Sequence, residues 1–261
     1  MKALCAQTFI PIRAAASDTS EMVSQLLFGE TCQVMAQTEK WVKVRCDFDG
    51  YEGWVFKPAL TFLSEQEYLL LRQSPQSIVN IPILTAREAK NQHPIYLTAG
   101  CCIYNHEPNK RTFSFLDRQY SYEDNFSQSS NMDESAKIIL ETALRLINVP
   151  YLWGGRSTFG IDCSGLVQTC FRVVGIDLPR DARMQAMLGK PVNDFEDIRP
   201  SDLAFFKNAD GIIIHVGILL SSSQIIHASN FVRISAFDER GILHDSGQDY
   251  THQLAFVKRF L

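Results

Sequence analysis

Cys163 stands in Asp162-Cys163-Ser164-Gly165, ahead of a stretch whose apolar positions Leu166, Val167, Cys170, Phe171 and Val174 recur at three- and four-residue spacing. Asp162 suits the N-cap of the helix this spacing predicts, which sets Cys163 in its first turn. The positive end of the helix dipole there favours thiolate, the nucleophilic form of cysteine, and the backbone N–H groups at a helix start stabilise an oxyanion. A thiolate at neutral pH needs a general base, itself oriented by a third polar group. Two histidines have the spacing for this work. His215 lies inside Ile212-Ile213-Ile214-His215-Val216-Gly217-Ile218, where an imidazole is out of place among apolar neighbours. His227 follows twelve residues later in Gln224-Ile225-Ile226-His227-Ala228, with the turn Ser221-Ser222-Ser223 between them. Two antiparallel strands of that length set both imidazoles on one sheet face. The chemistry predicted is nucleophilic acyl transfer, with Cys163 as nucleophile, His215 as base and His227 as its orienter.

Taken singly, each of these residues has a plainer reading: a buried small hydrophobe for the cysteine, satisfied core residues for the histidines. The combination carries the chemistry. Cys170 falls on the apolar face of the same helix, where packing explains it. His93, His106, His244 and His252 sit in polar or turn-like contexts and read as surface residues, and no His, Asp or Glu cluster has metal-site spacing. The seven cysteines are irregularly spaced without a C-x-x-C pair, which suits reduced thiols better than a disulfide framework or a zinc site. Cys101 and Cys102 are adjacent on a predicted strand, so their thiols point to opposite faces.

The elements that must position this set divide the chain. Helical spacing at Ile139, Ala143 and Ile147, with Leu140 and Leu144 beside them, predicts a helix from Ser135 that Pro150 stops. The nucleophile helix follows, with Gly175 as its cap, and then strand-like runs at Leu203–Phe206, Ile212–Leu220, Gln224–Ala228 and Leu254–Phe260. Helices followed by an antiparallel sheet make an α+β domain over 135–261. Residues 1–63 alternate short β-type runs, Gln33–Met35, Trp41–Arg45 and Gly53–Val55, with turn signals such as Asp49-Gly50, and read as a small all-β barrel. Residues 64–120 hold a short helix at Glu65–Arg72 and strand candidates at Ile81–Leu84, Tyr96–Tyr104 and Thr112–Leu116, read as a second, divergent barrel. Residues 121–134 are polar and read as a linker.

With 261 residues there is chain enough for these domains, and a net charge of -4 argues against a nucleic-acid binder. No stretch approaches the roughly 20 apolar residues of a membrane-spanning helix, and the start MKALCAQTFIPIRAAASDTSEM carries no continuous apolar run. The expectation is a soluble cytoplasmic protein, monomeric, with neither membrane nor nucleic acid as partner.

In order along the chain, Pro150-Tyr151-Leu152-Trp153-Gly154-Gly155, Asp162-Cys163-Ser164-Gly165-Leu166-Val167, Leu178-Pro179-Arg180-Asp181, Asp202-Leu203-Ala204-Phe205-Phe206, His215-Val216-Gly217-Ile218 and Ile226-His227-Ala228-Ser229 resemble the NlpC-type cell-wall peptidases. The first region resembles a bacterial SH3-like (SH3b) domain. The resemblance implies a papain-like catalytic domain, helices plus antiparallel sheet, preceded by one or two SH3-like barrels. It implies a cysteine peptidase without cofactor or metal, of the subgroup that cleaves the γ-D-glutamyl-diamino acid bond of murein peptides and releases L-Ala-D-Glu in cell-wall recycling. It puts Tyr151 beside the nucleophile, helping the backbone N–H of Cys163 in the oxyanion site. It also assigns the free amino group of the substrate's L-Ala to Asp162, Ser164 and Asp181, with Glu52 of the first domain added. A carboxylate suits an ammonium group. Asp162 and Asp181 also read as helix caps, Ser164 as a helix-start residue and Glu52 as a solvated side chain. Ala182 departs from the motif, since relatives often carry a hydroxyl there. Two alternatives stay open: the same triad in an N-acetylmuramoyl-L-alanine amidase or a hydrolase of intact wall, and an inactive module that binds wall peptide.

Overall fold

A computed structural model of the chain describes residues 1–124, 126 and 134–261. These fall into two compact units, one of residues 1–124, 126 and 153–158, the other of residues 134–152 and 159–261. Of the predicted linker, Ser121 and Tyr122 close a strand, whereas 125 and 127–133 lie outside the described residues.

The first unit opens with seven strands: β1 (Lys2–Leu4), β2 (Phe9–Arg13), β3 (Met22–Leu27), β4 (Thr31–Gln37), β5 (Trp41–Cys46), β6 (Glu52–Phe56) and β7 (Thr61–Leu63). They form one antiparallel sheet in the order β3-β2-β6-β5-β4-β1-β7. Ile10 and Ile12, and Val42 and Val44, bury at every second position as a one-sided strand requires. Ser64 and Glu67 then cap each other's backbone at the start of α1 (Glu65–Gln73), the reciprocal pair that stops two N–H groups from being stranded.

Six further strands follow: β8 (Gln76–Ile78), β9 (Ile83–Glu88), β10 (Pro94–Thr98), β11 (Cys102–Tyr104), β12 (Thr112–Phe115) and β13 (Arg118–Tyr122). They form a four-stranded sheet, β10-β9-β13-β12, and a pair, β11-β8. The single strand predicted over Tyr96–Tyr104 is therefore two, because Gly100 turns the chain with φ at 89°. Phe28, at the end of the Leu27-Phe28 run, joins this core. Its ring meets Phe113, Phe115 and Tyr120 edge-on at 6.1, 5.3 and 5.9 Å. At Gly29, with φ at 80°, a side chain would run into the carbonyl oxygen of Cys102 at 1.9 Å. Beside it, Glu30 holds the guanidinium of Arg156 at 2.8 and 3.0 Å, both side chains only 1% exposed. Arg156 lies in β14 (Arg156–Ser157), and this ion pair explains why 153–158 pack with the first unit although the sequence reading groups them with the catalytic region.

The second unit holds α2 (Ser135–Arg145), β15 (Gly160–Ile161), α3 (Cys163–Arg172), α4 (Ala182–Gln185), β16 (Lys190–Val192), β17 (Leu203–Lys207), β18 (Ile213–Ser221), β19 (Gln224–Ser229), β20 (Phe231–Asp238), β21 (Gly241–Leu243) and β22 (Tyr250–Arg259). The helix predicted to reach Pro150 stops at Arg145, and Asn148 turns the chain with φ at 69°. The strands pair antiparallel in the order β16-β22-β17-β18-β19-β20-β21, and β21 pairs back onto β22. Six strands thus close into a ring, where the sequence suggests only a sheet. Ala204, Phe206, Leu219, Ile225, Phe237, Ile242 and Val257 cluster within it. Every residue of α3 is buried, the polar Ser164, Gln168, Thr169 and Arg172 included.

Phe28→Ala should destabilise the first unit by about 3–5 kcal/mol, the usual loss for an aromatic ring in a packed core. Denaturant unfolding measures it, and a loss below about 1 kcal/mol would show that the two β assemblies do not depend on this ring.

Candidate active site

Cys163 opens α3 and is 7% exposed. Asp162 caps the helix: its Oδ1 accepts the Gly165 N–H at 2.8 Å. The predicted cap is there, and more is built on it. Arg180 donates to both carboxylate oxygens of Asp162, at 3.0 and 2.5 Å, and to Ser164 Oγ at 2.8 Å. Ser164 Oγ donates to Asp162 Oδ1 at 3.2 Å. Gln185, fully buried on α4, donates to the carbonyls of Ser164 and Pro179 at 3.1 and 2.9 Å, fastening the loop that carries Arg180 to the start of α3. The carboxylate of Asp162 is thus already matched by a guanidinium.

His215 lies on β18, 5% exposed, and His227 on β19, 2% exposed. Ile218 pairs with Ile226 across the two strands, and the spacing seen in the sequence delivers what it promises: His215 Nε2 and His227 Nδ1 are 2.9 Å apart. Gly217 makes the room, since a Cβ there would lie 3.0 Å from that of His227. On its far side His227 Nε2 meets Ser235 Oγ at 3.0 Å, and Ser235 Oγ accepts from Arg233 Nε at 3.1 Å. Arg233 in turn pairs with Asp245. Register explains the company these groups keep. His215 pairs with Phe206, Ser235 with Ile225 and His252 with Ile242, and the three partners belong to the interior cluster of the ring. Residues directly opposite share a face, so the imidazoles continue that interior.

His252 is therefore no surface residue. Its ring lies on that of His215 with centroids 4.2 Å apart at 30°. Its neighbourhood, Gln248-Asp249-Tyr250-Thr251-His252-Gln253, has no apolar period to betray it. His106 is also half-buried, its Nε2 2.5 Å from Tyr122 Oη. His93 and His244 are exposed.

Burial sets the electrostatics. It pushes the Cys163 thiol up to about 12, with the Asp162 charge adding and the Val216 and Ser164 N–H groups and Arg180 opposing. Those two N–H groups put the sulfur against the β18 residue that follows His215. Thiolate is therefore less favoured in the isolated thiol than a helix start alone suggests. Burial also holds His215 well below the usual imidazole range, with His252 and His227 adding, and takes His227 down to about 3, with His252 and Arg233 adding. Tyr151 is pushed up to about 12, first by burial and then by the charges of Cys163 and Asp162, which locates its phenol near both. Asp181 precedes α4 without capping it and is exposed. Glu52 lies in the first unit on β6, paired with Lys43 at 2.9 Å and Arg45 at 2.6 Å.

Arg180→Met strands the Asp162 charge and should cost about 3–5 kcal/mol. The double variant Arg180→Met/Asp162→Asn should recover more than half of that in thermal unfolding; a double variant as unstable as the single one would mean that packing, not charge, sets the cost.

Residues 148–247 match the NlpC/P60 family, and residues 12–60 match the bacterial dipeptidyl-peptidase SH3 domain. The chain is 28% identical over 225 residues to the gamma-D-glutamyl-L-lysine dipeptidyl-peptidase of Bacillus subtilis, covering 78% of this chain and 71% of that one. It is 25% identical over 252 residues to dipeptidyl-peptidase 6 of Lysinibacillus sphaericus, covering 86% and 88%. Its fold superposes on an NlpC/P60 family protein of Bacillus cereus with a TM-score of 0.84 over 100% of both chains at 20% identity. These likenesses support a peptidoglycan hydrolase. The chain carries an NlpC/P60-family domain, papain-like in fold, preceded by a bacterial SH3 domain.

Proposed function

We propose that the protein is a cysteine peptidase that cleaves the γ-D-glutamyl-diamino acid bond of murein peptides, releasing L-Ala-D-Glu from fragments with a free L-Ala amino group. The observation that carries this reading is the buried contact of 2.9 Å between His215 and His227, on the strand whose Val216 N–H faces the sulfur of Cys163. Cys163 Sγ attacks the γ-glutamyl carbonyl while its proton passes to His215 Nδ1. The tetrahedral intermediate collapses as His215 returns that proton to the leaving α-amine of the diamino acid. Water, deprotonated by His215, then hydrolyses the thioester and frees the thiol. For Nδ1 to hold the lone pair, His215 donates its Nε2–H to His227 Nδ1, and His227 donates its Nε2–H to Ser235 Oγ. Backbone N–H groups at the start of α3, with the phenol of Tyr151, face the oxyanion.

For the substrate amine, the anion we propose is Asp181, exposed at the start of α4. Asp162 and Ser164 are committed to Arg180 and act by holding the helix start. Glu52 is already matched by two cations. The names of the two relatives point the same way, to removal of a dipeptide. The action we propose is on soluble fragments in the cytoplasm, as a monomer, and none of the seven cysteines being in a disulfide fits a reducing compartment.

Incubation with L-Ala-γ-D-Glu-L-Lys, its meso-diaminopimelate counterpart and their N-acetylated forms, followed by mass spectrometry, tests this. Wild type should release L-Ala-D-Glu from the free-amine peptides, Cys163→Ala should release none, and Asp181→Asn should lose selectivity against acetylation. Cleavage of muramoyl-L-Ala instead would make the protein an amidase. Alkylation by iodoacetamide tests the pair itself. Wild-type Cys163 should react well below pH 8 through its imidazolium partner, whereas in His215→Ala only the rise toward the intrinsic value of about 12 should remain. Superposable profiles would remove His215 as the base.

A further inference from the structure

We propose that His252 is a positioning residue of this reaction: its imidazole, lying flat on that of His215, fixes the plane in which His215 takes the proton, and its protonation in acid shuts the pair down. The inference rests on the reading of Cys163 and His215 as nucleophile and base.

Among the described residues, one side-chain hydrogen bond, at Nε2, anchors the His215 ring. The ring remains able to rock about the line from Cβ to that nitrogen, and rocking swings Nδ1 away from the sulfur. Only contact with the face of the ring resists this motion. His252 supplies it at a centroid distance of 4.2 Å and 30°, while Phe206 touches the same ring at 5.7 Å and 47°. Phe206 also meets His252 at 5.9 Å and 68°, so the three rings brace one another. Thr251 Oγ1 lies 2.9 Å from Nδ1 of His252, and pairing with Ile242 across β21 and β22 holds the backbone.

A plate of pure hydrocarbon would position the ring equally well, but His252 can also acquire charge. The titratable groups facing it are His215 of β18 and, at 5.8 Å, His227 of β19, with Arg233 of β20 beyond His227; β17 presents Phe206 and β21 presents Ile242. All the ionisable ones are cationic when charged. Burial lowers all three imidazoles, and His252, half-buried where His215 and His227 are buried, is the one that water reaches in acid. A cation stacked on His215 then opposes the imidazolium that proton transfer must create. Neutral His252 supports catalysis, and charged His252 suppresses it.

The test compares His252→Ala and His252→Phe with wild type, measuring kcat and KM on L-Ala-γ-D-Glu-L-Lys and Cys163 alkylation by iodoacetamide from pH 4 to 9. His252→Ala should lose kcat roughly tenfold or more with KM little changed, as misplacement of a reacting group does. His252→Phe should restore most of kcat and carry the acid limb of both profiles to lower pH. Wild-type kcat in His252→Ala, or an acid limb in His252→Phe that does not move, would overturn the proposal. If His252→Ala fails to fold, shown by its thermal melt, the acid limb of His252→Phe decides alone. Alkylation needs no peptide substrate, so a wrong bond assignment leaves this readout intact. Identical alkylation of wild type and His215→Ala would instead indict the catalytic pair.

Discussion

A polar ring set in the interior of a closed strand ring must have its nitrogens met, and the second unit is arranged around that demand. His215 shares its face with the apolar cluster of Phe206, Ile225 and Ile242. An unmet donor or acceptor there costs about 1–3 kcal/mol. The answer is a chain: His215 to His227, His227 to Ser235, Ser235 to Arg233, Arg233 to the exposed Asp245. It leads the polar groups from the interior to water without leaving one stranded. The same burial that makes the chain necessary keeps its imidazoles neutral, and a neutral imidazole is what the base we propose must be.

At Cys163 the demand is of another kind. A buried cysteine costs nothing as a thiol and a great deal as a thiolate, so α3 has to bring compensation to its own first turn. Asp162 is needed to satisfy the N–H of Gly165, yet its charge beside Cys163 works against the thiolate. Arg180 resolves the conflict. It takes both oxygens of Asp162 and the hydroxyl of Ser164, leaving the helix start close to neutral overall. Gln185 ties the backbone of Pro179 to that of Ser164, so the loop bearing Arg180 cannot drift from the helix it balances.

What was legible beforehand follows from distance along the chain. Asp162 and Cys163 were readable because capping is local, and the histidine pair because a short serine turn limits which strand positions meet, although Ser221 ends β18 paired with Gln224 and only Ser222 and Ser223 make the turn. Arg180 stood in a quoted motif but pointed to no role, since its partner is 18 residues away across a loop. His252 is hidden for the same reason: its ring reaches His215 because β22 and β18 flank β17, where Phe206 pairs with His215 on one side and Leu254 on the other. Pairing between strands that far apart along the chain leaves no signature in either of them. Phe28 shows the rule in the first unit, where its partners Phe113 to Tyr120 are far along the chain and only the local turn at Gly29 could be anticipated.

The opposed displacements of Cys163 and His215 explain why the chemistry we propose takes two residues. Each group alone resists charge because each is out of water, the thiol upward and the imidazole downward. Moving one proton between them creates both charges at once, with none added to the site. Two unit charges about 4 Å apart attract by about 4 kcal/mol at an effective dielectric of 20, which offsets about three pKa units of resistance. The pair therefore costs less than the two ions made separately, without the attraction cancelling the resistance of both burials. Anything that adds a third charge spoils the balance: a cation at His252 would repel the imidazolium, and an unmatched Asp162 would repel the thiolate. Placing a depressed imidazole on one side and an arginine on the other keeps the surroundings of the pair neutral while the proton moves.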